Sequence, residues 1–264
     1  STINVNTTSM AVATDGVCSL VEALRAARNK ATVNECVISG GSPVVINLQS
    51  GATYSIGAPE ETDGTTGPSG FLIANEDVTI NGNGSTLTQS QGAMRVLMVR
   101  STATLRNLTI SGGRATNTAT ALGGWGGGVA VINSAATLNL ENVTLMDNGS
   151  AVDGGTILVA YNARLNMHRS AAMGNGSGLY VIRVSVGSTA NIANTTLYGP
   201  THALNVGEGS TVWVSSSTLS GNQYALYGPD GNTVRVQNSI LDGTCLMGTG
   251  VLTSTGNASG ASSG

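Results

Sequence analysis

The sequence predicts an all-β fold, a parallel β-helix (β-solenoid) in which coils of short strands stack on one another. Three observations predict it: a unit that recurs every 22 to 35 residues, a two-residue period of apolar side chains inside each unit, and small polar residues where the unit bends. No unit has room for a ten-residue helix between its strands, which argues against leucine-rich and ankyrin-type repeats.

The clearest copy of the repeat is the segment 136–148, ATLNLENVTLMDN, in which two short strands meet at Asn142. Aligned on this copy, the first apolar positions of successive units are Val78, Ala103, Leu138, Leu165, Ala190, Val212 and Val234. The corresponding bends fall at Asn107, Asn142, Arg169, Asn194, Ser216 and Asn238. We expect equivalent residues to stack roughly 4.8 Å apart and the bend asparagines to form a hydrogen-bonded ladder.

Composition fits a stacked fold better than an ordinary globular enzyme. The 264 residues include 37 glycines, with 3% aromatic and 9% charged residues, and the 40% hydrophobic residues follow a repeating pattern that argues against disorder. The net charge is −3, and Lys30 is the single lysine beside ten arginines. Because the sequence contains no basic cluster and no long apolar run, we expect neither a nucleic-acid partner nor a membrane span.

Three segments are predicted. Residues 1–43 form an N-terminal cap with a helix at 19–29, residues 44–247 form the coils, and residues 248–264 form a final coil or flexible tail. Ser19 and Glu22 have the spacing of a capping box, and Leu20, Leu24 and Ala27 make one apolar face of the helix. A stacked sheet leaves its first coil open, and this helix is suited to cover it.

The cysteines indicate the compartment. Cys18 and Cys36 bracket the helix, and we expect a disulfide between them, which favours a secreted protein; three buried thiols in a cytosolic protein are the alternative. Cys245 is left over, as a free thiol or an intermolecular link. The chain starts at Ser1 without a charged and apolar leader, so we expect that any secretion signal has been removed.

Several of these motifs resemble a known family. The segment 15–29, DGVCSLVEALRAARN, is similar to the "CSLREA" motif that opens many secreted bacterial right-handed β-helix proteins. Segment 126–148 resembles their GGGIYN…LTLTNSTVSGN repeat, and segment 238–245, NSILDGTC, resembles their closing coil. The sequence departs from the pattern at Val21 and Leu24, where the family usually has Arg and Ile, and at 167–173, MHRSAAM, which replaces NSTVS.

The resemblance implies a right-handed, pectate-lyase-like solenoid that is secreted or held on a bacterial cell surface. It implies no single activity, because function depends on the site that a fold carries and not on the fold itself.

A catalytic hypothesis follows from the outward side chains. Glu141 and His168 occupy equivalent positions in successive units and should be stack neighbours, with Arg169 at the next bend. A polysaccharide lyase needs a base and a cation that neutralises a uronic carboxylate; His168 or Tyr161 are candidates for the base, and Arg169 or Arg183 for the cation. A glycoside hydrolase needs two carboxylates, which are sparse in the repeats.

The competing hypothesis, which the lean set of reactive side chains favours, is a structural, adhesive or glycan-contacting module. Trp213, Tyr224 and Tyr227 are candidates for stacking on sugars. His202 aligns with Tyr224 and is predicted to be a core or corner histidine. Unpaired strands at the C-terminal edge also predict end-to-end association into oligomers or filaments.

The loop 57–70 is acidic, and Glu60, Glu61 and Asp63 could bind Ca²⁺ through their oxygens. Because such runs are more often solvated loops, we expect no metal or other cofactor. A second insertion at 114–128 carries GGWGGG around Trp125 and accounts for the longest repeat spacing.

Overall fold

The computed structural model describes residues 1–152, 154–175, 179–229 and 231–259. Within these ranges the protein is all-β, with 24 strands and one helix, α1, at Leu20–Asn29. All strand pairings but one are parallel, and they join each strand to its equivalent in the next repeat, which is consistent with a β-solenoid. The predicted all-β, parallel architecture is therefore confirmed.

The strands fall into three stacks, and one coil contributes a strand to each. The first stack contains Thr2–Asn4, Val44–Asn47, the first parts of Val78–Gln89, Thr102–Ser111 and Thr137–Ser150, then Arg164–His168, Thr189–Ala193, Thr211–Ser215, Thr233–Gln237 and Val251–Thr255. The second contains Thr53–Ile56, the later parts of those three long strands, Ala171–Gly174, Thr196–Gly199, the first parts of Thr218–Gly228 and Ile240–Met247, and Ala258–Ser259. The third contains Gly67–Ile73, Arg95–Val99, Val129–Ile132, Ile157–Ala160, Tyr180–Val184, His202–Val206 and the later parts of Thr218–Gly228 and Ile240–Met247.

Two short strands lie outside the stacks. Glu61–Asp63 forms the antiparallel pair with Gly67–Ile73, and Arg114–Ala115 pairs with the end of Thr137–Ser150.

The register of the first stack confirms the sequence alignment. Leu138 lies opposite Ala103 on one side and Leu165 on the other, and the pairing continues through Ala190 and Val212. A shift of one residue would turn every apolar side chain outward, so the buried face fixes this register. Most of the buried apolar residues form one continuous core that reaches from Ile3 to Leu241.

The bends have the backbone conformation that the sequence predicts. All six bend residues have positive φ between 49° and 55°: Asn107, Asn142, Arg169, Asn194, Ser216 and Asn238. Asn tolerates this left-handed region better than most residues, which explains its recurrence. One step of the predicted asparagine ladder forms where Asn142 Nδ2 donates to Asn107 Oδ1 at 2.7 Å, and the ladder is interrupted at the next bend, which carries Arg169.

Helix α1 begins at the predicted capping box. Ser19 Oγ accepts a hydrogen bond from the Glu22 amide at 3.2 Å, and Glu22 Oε2 accepts one from the Ser19 amide at 2.9 Å. Leu20, Leu24 and Ala27 are buried, as predicted, and belong to the same core as the first coils. The Cys18–Cys36 disulfide is confirmed and ties the start of the helix to the loop that follows it.

A second apolar cluster lies on the outer side of the third stack. Its buried members, which include Met98 and Leu158, pack against Leu122 and Trp125 of the 114–128 insertion. The insertion is held by Arg95, which is fully buried and donates to the carbonyls of Leu122 and Trp125 at 2.9 and 3.0 Å. Burial lowers the pKa of the Arg95 guanidinium to about 10, so it remains protonated at neutral pH.

Arg95 also reaches the acidic loop, where it donates to Thr66 O at 2.6 Å and to Ser69 Oγ at 2.9 Å. The Arg95 guanidinium therefore connects the acidic loop 57–70 and the insertion 114–128 to the third stack.

The described part of the chain contains no helix with the length and apolarity needed to cross a bilayer, since α1 has ten residues.

Candidate functional site

The candidate site is a shallow groove of about 360 Å³ on the outer side of the first stack. We call the outward residues of this stack, together with its bends, the first-stack face. Glu141 and His168 line the groove and lie opposite each other in the register, as the sequence predicts. The Glu141 carboxylate, however, accepts a hydrogen bond from Arg106 at 2.8 Å on its other side, and this ion pair occupies it.

A row of polar side chains runs along the groove. Asn166 Nδ2 donates to Asn139 Oδ1 at 2.8 Å, and Asn139 Nδ2 donates to Thr104 Oγ1 at 3.2 Å. The same row continues in register through Asn191, Trp213 and Arg235. Because the strands are regular, this row presents amides, an indole and a guanidinium in a straight line at intervals of roughly 4.8 Å.

His168 and Arg169 sit where the regular pattern changes. Both are exposed, and His168 Nε2 lies 3.1 Å from Asn194 Nδ2, the bend amide of the next coil. Since an amide Nδ2 is a donor, this contact is a hydrogen bond when His168 Nε2 is unprotonated. The partner of the imidazole is thus an amide and not the carboxylate of Glu141.

The other two catalytic candidates lie elsewhere. Arg183 is in the third stack, with its guanidinium carbon 4.8 Å from the centre of the Trp125 ring, a cation–π contact. Tyr161 is 41% exposed and has a φ of 60° at the bend after Ile157–Ala160. The structure therefore brings Glu141, His168 and Arg169 to one face, and neither Tyr161 nor Arg183 lines their groove.

The candidate sugar-stacking residues are also separated. Trp213 is 41% exposed on the first-stack face. Tyr224 and Tyr227 lie in the third stack and pack with Tyr180 and His202, with ring centres 4.8 to 5.8 Å apart. His202 is 5% exposed and opposite Tyr224 in the register, which confirms the predicted core histidine. Of these three residues, Trp213 is the one that belongs to the polar row.

The carboxylates of the acidic loop form ion pairs with arginines. Glu60 pairs with Arg25 at 2.7 Å, and Arg100 pairs with Glu61 at 2.9 Å and with Asp63 at 2.8 Å. Burial works against ionisation of Asp63, but the amides of Thr66 and Thr65 and the nearby Arg100 outweigh it and lower its pKa. The expectation that this loop holds no metal stays a prediction, and the ion pairs give its carboxylates a structural role.

Arg169 offers a direct test of the bend. Replacing Arg169 with asparagine should stabilise the protein by about 1 kcal/mol, because asparagine tolerates a φ of 49° and could extend the ladder between Asn142 and Asn194. Urea denaturation measures the change. Asn142→Ala is the matched control and should destabilise; a destabilised Arg169→Asn variant would contradict the explanation.

No family model, curated protein or solved structure matches the chain. The similarity to the CSLREA proteins therefore stays a prediction that rests on segments 15–29, 126–148 and 238–245.

Proposed function

We propose that the protein is a closed, right-handed parallel β-helix, secreted or displayed on a bacterial cell surface, that contacts glycans through its first-stack face. Parallel pairing in all three stacks around one core supports closure. Connections between parallel strands of one sheet are almost always right-handed, which supports the hand. Helix α1 then serves as the cap of the first coil, and the disulfide agrees with an oxidising compartment.

The observation that supports this proposal is the polar row, the outward side chains of Thr104, Asn139, Asn166, Asn191, Trp213 and Arg235. Side-chain amides donate and accept hydrogen bonds simultaneously, as sugar hydroxyls do, and an exposed indole offers an apolar face for the C–H side of a sugar ring. Asn166, Asn191 and Trp213 supply both chemistries on successive coils of a rigid sheet. A ligand that repeats along its length suits a surface that repeats along its own.

Binding is better supported than hydrolysis. A glycosidase places two carboxylates across the scissile bond, whereas Glu141 is the single carboxylate among the described residues that line the groove, and it forms an ion pair with Arg106. A polysaccharide lyase is the second candidate, because His168 and Arg169 are adjacent and exposed beside the groove. Absorbance of unsaturated products from uronic-acid polymers tests it, and turnover that survives loss of both side chains would exclude this placement.

The proposed glycan contact predicts a specific loss on removal of the indole. Trp213→Ala should weaken glycan binding about tenfold, which corresponds to the loss of one ring-stacking contact. Affinity electrophoresis in gels that contain soluble polysaccharides measures it. Tyr198→Ala is the matched control, because Tyr198 is a 47% exposed aromatic residue on the second stack. Equal binding by the two variants would contradict the assignment of this face.

End-to-end association also stays a proposal. The strand Val251–Thr255 is exposed along its whole length, with Val251 58% exposed. Concentration-dependent sedimentation would support association through this strand, and a monomer at all concentrations would oppose it.

A further inference from the structure

We propose that the glycan bound by the first-stack face is a linear anionic polysaccharide that lies along the stack axis, with its acid groups bound by Arg164, Arg169 and Arg235. This inference rests on the proposed function and adds the charge class and the direction of the ligand.

The three arginines differ from most others in the protein. Arg25, Arg28, Arg100 and Arg106 each pair with a glutamate or aspartate, and Arg95 is buried. Arg164, Arg169 and Arg235, in contrast, are exposed, and no carboxylate among the described residues lies within 4.0 Å of them. A guanidinium that pairs with none of the described carboxylates is available to a carboxylate or sulfate of a ligand, for which its planar fork is suited.

The charge of this face is opposite to that of the whole chain. Between Thr102 and Asn238 the first-stack face carries four arginines, and Glu141 is its single acidic residue. Glu141 neutralises Arg106, so three positive charges remain on a protein whose net charge is −3. A positively charged face on an acidic protein attracts a polyanion to that face, while the negatively charged remainder of the surface repels it.

The spacing indicates a polymer that follows the stack. Arg164 is the first residue of the strand Arg164–His168, Arg169 lies at the bend after it, and Arg235 lies three coils further along. Three coils span roughly 14 Å at the usual strand separation, which is longer than a single sugar ring. Asn191 and Trp213 occupy the row of Arg235 on the two coils that separate it from Arg164 and Arg169, where a chain that follows the stack would meet an amide and then an indole.

A polysaccharide is favoured over a nucleic acid. Single-stranded nucleic acids bind to several aromatic side chains on which successive bases stack, whereas Trp213 is the single Trp, Tyr or Phe among the described outward positions of this face. The neighbouring positions are amides and hydroxyls, which match sugar hydroxyls. Duplex DNA remains an informative probe, because it tests whether charge alone accounts for binding.

The experiment compares polymers and two matched variants. The full chain is titrated by calorimetry with polygalacturonate (carboxylated), heparin (sulfated), dextran (neutral) and duplex DNA. The first variant carries R164Q, R169Q and R235Q; the second carries R25Q and E60Q, which removes a paired cation and anion away from the first-stack face without changing net charge. Thermal melting of both variants confirms that the fold is retained.

The wild type should bind polygalacturonate or heparin at least tenfold more tightly than dextran, and more weakly as salt is raised. The triple variant should lose about tenfold in affinity for the acidic polymer, and the paired variant should change little. Preference for polygalacturonate or for heparin assigns the acid group as carboxylate or sulfate.

The charge assignment would be overturned if dextran bound as tightly as the acidic polymers and this binding were lost in Trp213→Ala but kept in the triple variant. The proposed function would still stand in that case. Binding of DNA as tight as that of the glycans would overturn the polysaccharide class. Absence of binding to every glycan would overturn the proposed function together with the inference.

Discussion

Replacing Arg95 with methionine should destabilise the protein by about 3–5 kcal/mol, because a buried cation with four acceptors would be lost at once. Methionine fills most of the volume, but the buried carbonyl of Thr66 and the partly buried carbonyls of Leu122 and Trp125 would lose this donor. Urea denaturation measures the change, and limited proteolysis within 114–128 should show that the insertion is the first segment released.

Arg95→Lys is the matched control. Lysine keeps the charge but cannot reproduce the fork that spans two loops, so we expect an intermediate loss of stability. If Arg95→Met lowered the free energy of unfolding by less than about 1 kcal/mol, the guanidinium would not be the joint between the insertions that its contacts indicate.

Removing the Cys18–Cys36 disulfide should cost about 3 kcal/mol, since the bridge closes a loop of 18 residues and constrains the unfolded chain. The double variant Cys18→Ala, Cys36→Ala should therefore unfold at lower urea concentration than the wild type. The effect should be concentrated at the helical end, because each coil is stabilised mainly by its neighbours.

Cys245→Ser serves as the control for this measurement. Burial raises the pKa of the Cys245 thiol, so it should label slowly with thiol reagents in the folded protein. Its replacement should leave the helical end intact. Equal stability of the double variant and Cys245→Ser would contradict a stabilising role for the bridge.

The stacking of coils was predictable from the sequence because apolar residues recur at equivalent positions of each repeat. Leu138, Leu165 and Ala190 are aligned correctly without any structure, and the capping box at Ser19 and Glu22 follows from local chemistry. Such patterns are local or strictly repetitive, and both kinds are visible in a single chain.

Contacts between long side chains were less predictable. The alignment places Glu141 between Arg106 and His168 but cannot show that the ion pair forms with Arg106. Arg95 gave no signal, because an arginine at the start of an apolar strand is normally exposed and the loops that bury it arrive from 26 to 30 residues away.

The cationic face was missed for a related reason. Arg164, Arg169 and Arg235 are scattered through the sequence and form no basic run, and only the stacking of coils brings them to one side. Net charge therefore gave the wrong impression of this surface: the chain is acidic, and one of its faces is basic.

The even spacing of the later coils has a consequence for how such a molecule can change. Ala190, Val212 and Val234 follow one another at intervals of 22 residues with unbroken pairing. Duplicating or deleting one such segment would add or remove a whole layer while leaving each remaining layer next to a compatible partner. Recombination within the gene could thus lengthen or shorten the molecule in steps of roughly 4.8 Å, and with it the number of ligand units held at once.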